Sequence, residues 1–143
     1  MYTPSKNMIE YNTEDNVSVE EFKEVLIRST LGERRPVEES TRLSKMLKYA
    51  NLIVTARDKG QLIGISRSLT DFAYCTYLSD LAVDQAYQKQ GIGKMLIRLT
   101  KLEAPQAKLI LLAAPDAIPY YPKIGMEQYE FCYFLDNVND LDK

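Results

Sequence analysis

The sequence predicts a mixed α/β domain around one central sheet, and three observations carry that reading. Three β-rich runs follow one another between Asn51 and Val83, with a turn signal between the first two, the pattern of antiparallel hairpins. A strand, an amphipathic helix and another strand then span Val83–Leu109, and such a unit argues for a parallel pair. Two helical stripes precede these runs, so helices and sheet form layers around one core. The sheet is read as mixed and mostly antiparallel. The 143 residues are the length of one domain, taken as residues 1–143.

Each element has its own justification. Met8–Tyr11 reads as a short first strand. Ser18 with Glu21 three residues on is a capping-box signature, and Val19, Phe22, Val25 and Leu26 make a helical stripe behind it. Gly32 and Pro36 break that helix. Leu43, Met46 and Leu47 then mark a second one. Asn51–Arg57 is short and β-branched, "DKGQ" is a turn, and Leu62–Thr70 is the return strand. Tyr74–Val83 is the next strand. In the following helix Ile92, Leu96 and Leu99 share a face, with Met95 and Leu102 beside it. Ala107–Ala114 is apolar enough for a strand covered on both faces. A loop with Pro115 and Pro119 leads to Tyr120–Met126, and "YEFCYFLDN" (Tyr129–Asn137) reads as a last strand.

Composition removes several kinds of chemistry. The chain is 45% hydrophobic and 27% charged, an ordinary globular balance. A net charge of −2 provides no broad basic field for nucleic acid. Histidine is absent, which excludes Ser-His-Asp and Cys-His hydrolysis and His-ligated zinc. Cys75 and Cys132 have no metal-ligand spacing and read as two small buried thiols in a reducing compartment. No metal site is expected. No run reaches membrane-span length, and the polar first 16 residues lack a signal-peptide core, so a cytoplasmic protein is expected.

The richest stretch is "YQKQGIGKML", Tyr87–Leu96. It places two glycines at the start of an amphipathic helix, directly after a strand. The first N–H groups of a helix lack intrahelical partners and carry partial positive charge, and glycines let a phosphate approach them. A Walker A loop is excluded, because Gln88 and Met95 stand where it needs Gly and Ser or Thr. A dinucleotide fingerprint would need a third glycine at Leu96.

What remains, Gln88-x-x-Gly91-x-Gly93 directly after "DLAV", resembles the pyrophosphate loop of the GNAT N-acetyltransferase superfamily. "YYPKIGM" (Tyr120–Met126) is similar to that family's aromatic-Tyr-x-x-x-Gly-Phe segment, at the right separation, and the element order agrees over the whole chain. The resemblance implies an acyl-CoA N-acyltransferase-like fold with helices on both faces of the sheet, and acetyl-CoA as co-substrate. It implies that the backbone of Leu81, Ala82 and Val83 pairs with the pantetheine arm. Gln88, Lys89, Gln90, Gly91, Ile92, Gly93 and Lys94 would hold the pyrophosphate, mostly through backbone groups. Tyr121 would protonate the departing thiolate, and Asp80 would take the amine proton, directly or through water.

Three positions depart from the family pattern. Ser79 stands where polyamine-acetylating relatives often have Glu, Ala114 where many have a pantetheine-binding Asn, and Met126 where Phe is usual. Arg34 and Arg35 either bind an acceptor carboxylate or phosphate or belong to a solvated turn; the turn is the better supported. The function so implied is acetyl transfer to a primary amine of a small molecule or peptide by direct attack in a ternary complex. The alternative is a coenzyme A-binding module without catalysis. A homodimer is a common outcome in that family.

Overall fold

A computed structural model describes residues 8–143. The chain divides into two compact units, one ending at Leu112 and one running from Ala113 to Lys143. The first unit contains strands β1 (Ile9–Thr13), β2 (Leu52–Asp58), β3 (Gln61–Thr70), β4 (Cys75–Val83) and β5 (Lys108–Ile110). Its helices are α1 (Val19–Ser29), α2 (Ser40–Tyr49) and α3 (Ile92–Glu103). The strands form one sheet in chain order. The first four pair antiparallel, and β4 with β5 is parallel. The mixed, mostly antiparallel sheet expected from the sequence is therefore the one observed.

Side-chain periodicity places the helices on both faces. Phe22, Val25 and Leu26 of α1 and Leu43 of α2 pack on Ile53, Leu62, Ile65 and Ala82. Ile92 and Leu96 of α3 pack on the opposite face, against Leu52, Val54, Ala56 and Ile63. Full burial of such side chains contributes about 1.5–3 kcal/mol each. Helix α3 also lies close against β3. A methyl group at Gly64 would sit 3.2 Å from Leu96 Cδ1, 3.3 Å from Ala56 Cβ and 3.4 Å from Ile92 Cγ2. Nearby, the hydroxyls of Ser66 on β3 and Thr100 on α3 bond at 2.6 Å.

Local chemistry closes the connections. Lys59 and Gly60 both have positive φ, 50° and 86°, as the tightest β-hairpin turns require. Arg57 beside that turn grips Glu14 with two 2.9 Å bonds and donates to Glu21 at 2.5 Å, tying the start of α1 to the sheet. Those hydrogen bonds to Arg57 are the main reason both carboxyls are held below their usual range. At the β3–β4 turn the Asp71 carboxylate accepts from the backbone N–H groups of Ala73, Tyr74 and Cys75. Among the described residues no helix is long and apolar enough to cross a membrane.

Three expectations are corrected. The run Ala107–Ala114 gives only the three-residue β5, which pairs with Cys75–Tyr77, and Ile110 is exposed rather than covered. The cause lies in β4. Arg67 pairs with Asp80 but Ser68 with Leu78, so Ser79 is an extra residue in the ladder, and a bulge bends its strand. The two cysteines are both free and exposed, not buried. Cys75 opens β4 on its exposed alternation, and Cys132 lies in an irregular segment.

The third correction concerns the second unit, which contains the single-turn helix α4 (Tyr120–Lys123) and two 3₁₀ turns. Tyr129–Asn137 forms no strand. Its alternation suits one, but a strand exists only by pairing, and no strand lies within residues 113–143.

Candidate active site

Strand β4 has two different edges. On one side it pairs with β3 from Thr76 to Val83, while on the other it pairs with β5 only from Cys75 to Tyr77. Among the strands described, none pairs with that second edge over Leu78–Val83. This segment therefore offers main-chain groups to an extended ligand, as in strand addition. Leu81, Ala82 and Val83 lie on it. Ala82 faces the α1–α2 side, and Leu81 and Val83 pack on the α3 side, as alternation requires.

The strand leads through a 3₁₀ turn, Gln85–Tyr87, into the loop that opens α3. Asp84 donates its N–H to Ile63 O at 2.8 Å, and its side chain caps the 3₁₀ turn Gln85–Tyr87 by accepting from Ala86 N–H. Gln88 donates its side-chain amide to Val83 O at 2.9 Å, so this glutamine bonds the strand end. Lys89 has φ 64° and Gly91 φ 84°. The second value answers why a glycine stands at the start of α3: Gly91 is its N-cap, in the left-handed region that side chains disfavour.

No side chain caps α3, and its first i→i−4 bond runs from Met95 N–H to Gly91 O. The N–H groups of Ile92, Gly93 and Lys94 precede that first bond, at the positive end of the helix dipole. Gln88, Lys89, Gln90, Gly91 and Lys94 are exposed, whereas Ile92 is buried and fixes the helix end to the core. Unpaired donors beside an open strand edge, with two exposed lysines, fit a diphosphate followed by an amide-bearing arm, which is the chemistry of a coenzyme A ester.

Asp80 is fully buried on the α1–α2 side. One oxygen accepts from Arg35 Nε at 2.5 Å and the other from Arg67 Nε. The same arginines grip the bulge, Arg35 donating to Ser79 O at 2.8 Å and Arg67 to Ser79 Oγ at 2.9 Å. Arg67 also donates to Met46 O on α2 at 3.0 Å. Arg34 is exposed, as a solvated turn would have it, but Arg35 is an internal ion-pair partner.

Tyr121 belongs to the second unit, on α4. Lys123 is followed by a cap in which Gly125 N–H bonds Pro122 O and Met126 N–H bonds Tyr121 O, each at 3.1 Å, with Gly125 at φ 99°. This double bond pattern ends the helix and explains the glycine four residues after the tyrosine. Burial, and then the neighbouring Tyr120, raise the Tyr121 phenol above its ordinary value. The rings of Tyr120 and Tyr121 meet edge to face at 5.2 Å.

Sequence reasoning missed Arg67, the Ser79 bulge and the bond from the Tyr87 hydroxyl to Asp58. All three join residues distant in the chain or depend on strand register, so only a charged residue in an otherwise uncharged strand, such as Arg67, could have signalled one of them.

The family model for the acetyltransferase (GNAT) domain matches residues 49–128, more than half of the chain. Histone acetyltransferase TAP1 of Glycine max is 33% identical over 73 residues, covering 49% of this chain and 32% of that protein. The match spans between about a third and a half of the length of these curated relatives, 32% of TAP1 and 49% of an N-acetyltransferase ycf52 of Porphyra purpurea. A GNAT family acetyltransferase from Streptococcus pneumoniae superposes with a TM-score of 0.75 at 22% identity, over 92% of this chain and 98% of that one. An aminoglycoside N-acetyltransferase, AAC(6')-Iy, solved with CoA, gives 0.72 at 14% identity over 96% and 99%. At these identities the structures establish the acyl-CoA N-acyltransferase fold, and the family match establishes the kinship. The chain belongs to the GNAT acetyltransferase family.

Proposed function

We propose that this protein transfers an acetyl group from acetyl-CoA to a primary amine of a small molecule or peptide, by direct attack in a ternary complex. The observation that carries the reading is the unpaired edge of β4 at Leu78–Val83 running into the uncapped start of α3. The diphosphate would rest on the loop Gln88–Lys94, and the pantetheine arm would follow Leu81, Ala82 and Val83. A backbone N–H of that strand would polarise the thioester carbonyl.

The amine nitrogen forms the new C–N bond, the C–S bond breaks, and the thiolate needs a proton. Tyr121 is the proposed donor, because a phenol held above its usual pKa of about 10 stays protonated at neutral pH. The amine must lose a proton in turn. Asp80 is bound by two guanidiniums, which favours an orienting role and leaves the amine proton to water. The engagement of Asp80 also keeps a second reading open, a coenzyme A-binding module without catalysis.

A thermal-shift series with acetyl-CoA, ATP and NAD tests the ligand. Stabilisation by acetyl-CoA is expected, about 2.7 kcal/mol at a hundredfold excess over the dissociation constant. Stabilisation by ATP or NAD alone would reject both readings. Thiol release over a panel of amines then separates enzyme from module. Tyr121→Phe is expected to lower kcat by about 10²-fold while acetyl-CoA binding holds, and an unchanged kcat would remove the general-acid role.

A further inference from the structure

The loop ahead of α3 contains a conformational puzzle. Lys89 sits in the left-handed region at φ 64°, a conformation that costs a side-chain-bearing residue about 1–2 kcal/mol. Such strain persists only where surrounding structure imposes it. Yet Gln88, Lys89, Gln90 and Gly91 are all exposed, so little packs on the loop itself. Within the loop Gln88 bonds Val83 O at 2.9 Å through its side chain, and the remaining constraint acts at the two ends. The far end is Ile92, buried among Val54, Ala56, Ile63 and Leu96.

The near end is Tyr87, two residues before Lys89. Its ring packs against the same apolar cluster, and its backbone N–H bonds Asp84 O at 2.8 Å. Its hydroxyl donates to Asp58 Oδ2, on the last residue of β2. Asp58 is itself held in register, opposite Ile9 of β1 and Gln61 of β3. The anion loop is thus tied to the β2–β3 turn by one side-chain bond between residues 29 positions apart.

We propose that Tyr87 and Asp58 are positioning residues for the coenzyme diphosphate: their bond fixes where the chain leaves the sheet and so holds Lys89 and Gly91 in the conformation that converges the α3 N–H groups on the ligand. This rests on the acetyl-CoA reading above. The pair touches no reacting atom. The Asp58 carboxylate, then burial and the Asp84 charge, raise the Tyr87 phenol, so its donor proton stays in place through the neutral range.

Calorimetric titration of acetyl-CoA into the wild type, Tyr87→Phe, Asp58→Ala, Asp58→Asn and the Tyr87→Phe/Asp58→Ala double variant tests the proposal. Tyr87→Phe and Asp58→Ala are each expected to weaken binding by about 5–10-fold, the scale of one hydrogen bond. The double variant should lose no more than either single one, because both remove the same bond. Asp58→Asn keeps an acceptor oxygen and should bind within about twofold of wild type. KM for acetyl-CoA should follow the dissociation constant while kcat at saturation holds.

Losses that multiply in the double variant, or a fall in kcat at constant KM, would overturn the proposal. Should Tyr87→Phe fail to fold, the Asn and Ala variants at position 58 decide alone: equal binding by both refutes it. A wild type that does not bind acetyl-CoA removes the cofactor reading together with this one. A wild type that binds, with variants that bind equally well, removes only the clamp.

Discussion

Helices α1 and α3 are nearly the same length, 11 and 12 residues, and each buries one apolar stripe against the sheet. Their starts are opposites. At α1 the Ser18 hydroxyl accepts from Glu21 N–H at 3.1 Å, and the Glu21 carboxylate accepts from Ser18 N–H at 3.1 Å. Glu21 is gripped in turn by Arg57. That end is closed by the protein's own side chains, and its only product is stability. At α3 the N-cap is Gly91, which has nothing to offer the first turn. A helix start left bare at the end of a strand is a poor structural choice and a good binding one. The contrast within one molecule is more telling than either end alone.

The contrast breaks most sharply at Gly91. A β-carbon there would have nothing within 4 Å, so crowding is not the obstacle; the left-handed backbone is. Gly91→Val is expected to cost about 1–2 kcal/mol of stability and to abolish the thermal shift given by acetyl-CoA. Retention of the full shift would mean the loop geometry does not matter to the ligand.

Arg57→Met attacks the closed end. Glu14 and Glu21 have folded pKa values lowered chiefly by Arg57, so the folded state binds fewer protons than the unfolded chain. Their contribution is present above the unfolded value of about 4.3 and is lost as pH falls through the lowered folded values. The variant should lose about 1–3 kcal/mol at pH 7, a figure reduced for partial exposure, and should show a shallower fall in stability below about pH 4.3. Denaturant melts at pH 7 and pH 3 measure both, and parallel pH profiles for the two proteins would contradict the assignment.

Ser18→Ala is the mildest change, about 1 kcal/mol of stability. Its value lies in what it leaves alone: titration with acetyl-CoA should give the wild-type dissociation constant. A weakened constant would mean the two helix starts are coupled.

What could be read from the sequence follows the range of each interaction. The capping box spans three residues, and the loop glycines declare their own backbone, so both were legible. The three longer strands, β2 to β4, announced themselves by composition and turn residues. The partners of Asp80 could not, because Arg35 lies 45 positions away and Arg67 meets it only through strand register. The Ser79 bulge depends on that register too, and it shortens β5, whose sequence reads as far longer. Tyr129–Asn137 shows the converse limit: alternation says which residues a strand would present, but only a partner makes a strand.

The close seat of α3 on Gly64 has a consequence for how such a site can change. The helix tip rests on the sheet through Ile92 and Leu96, so its height is set by a position 27 residues before Gly91. Charges on the outer surface, at Lys89 and Lys94, can be exchanged without moving the seat. A single methyl at residue 64 would press on Leu96 Cδ1 and Ala56 Cβ, which would have to give by tenths of an ångström, and adjustment of the outer charges would not relieve that contact.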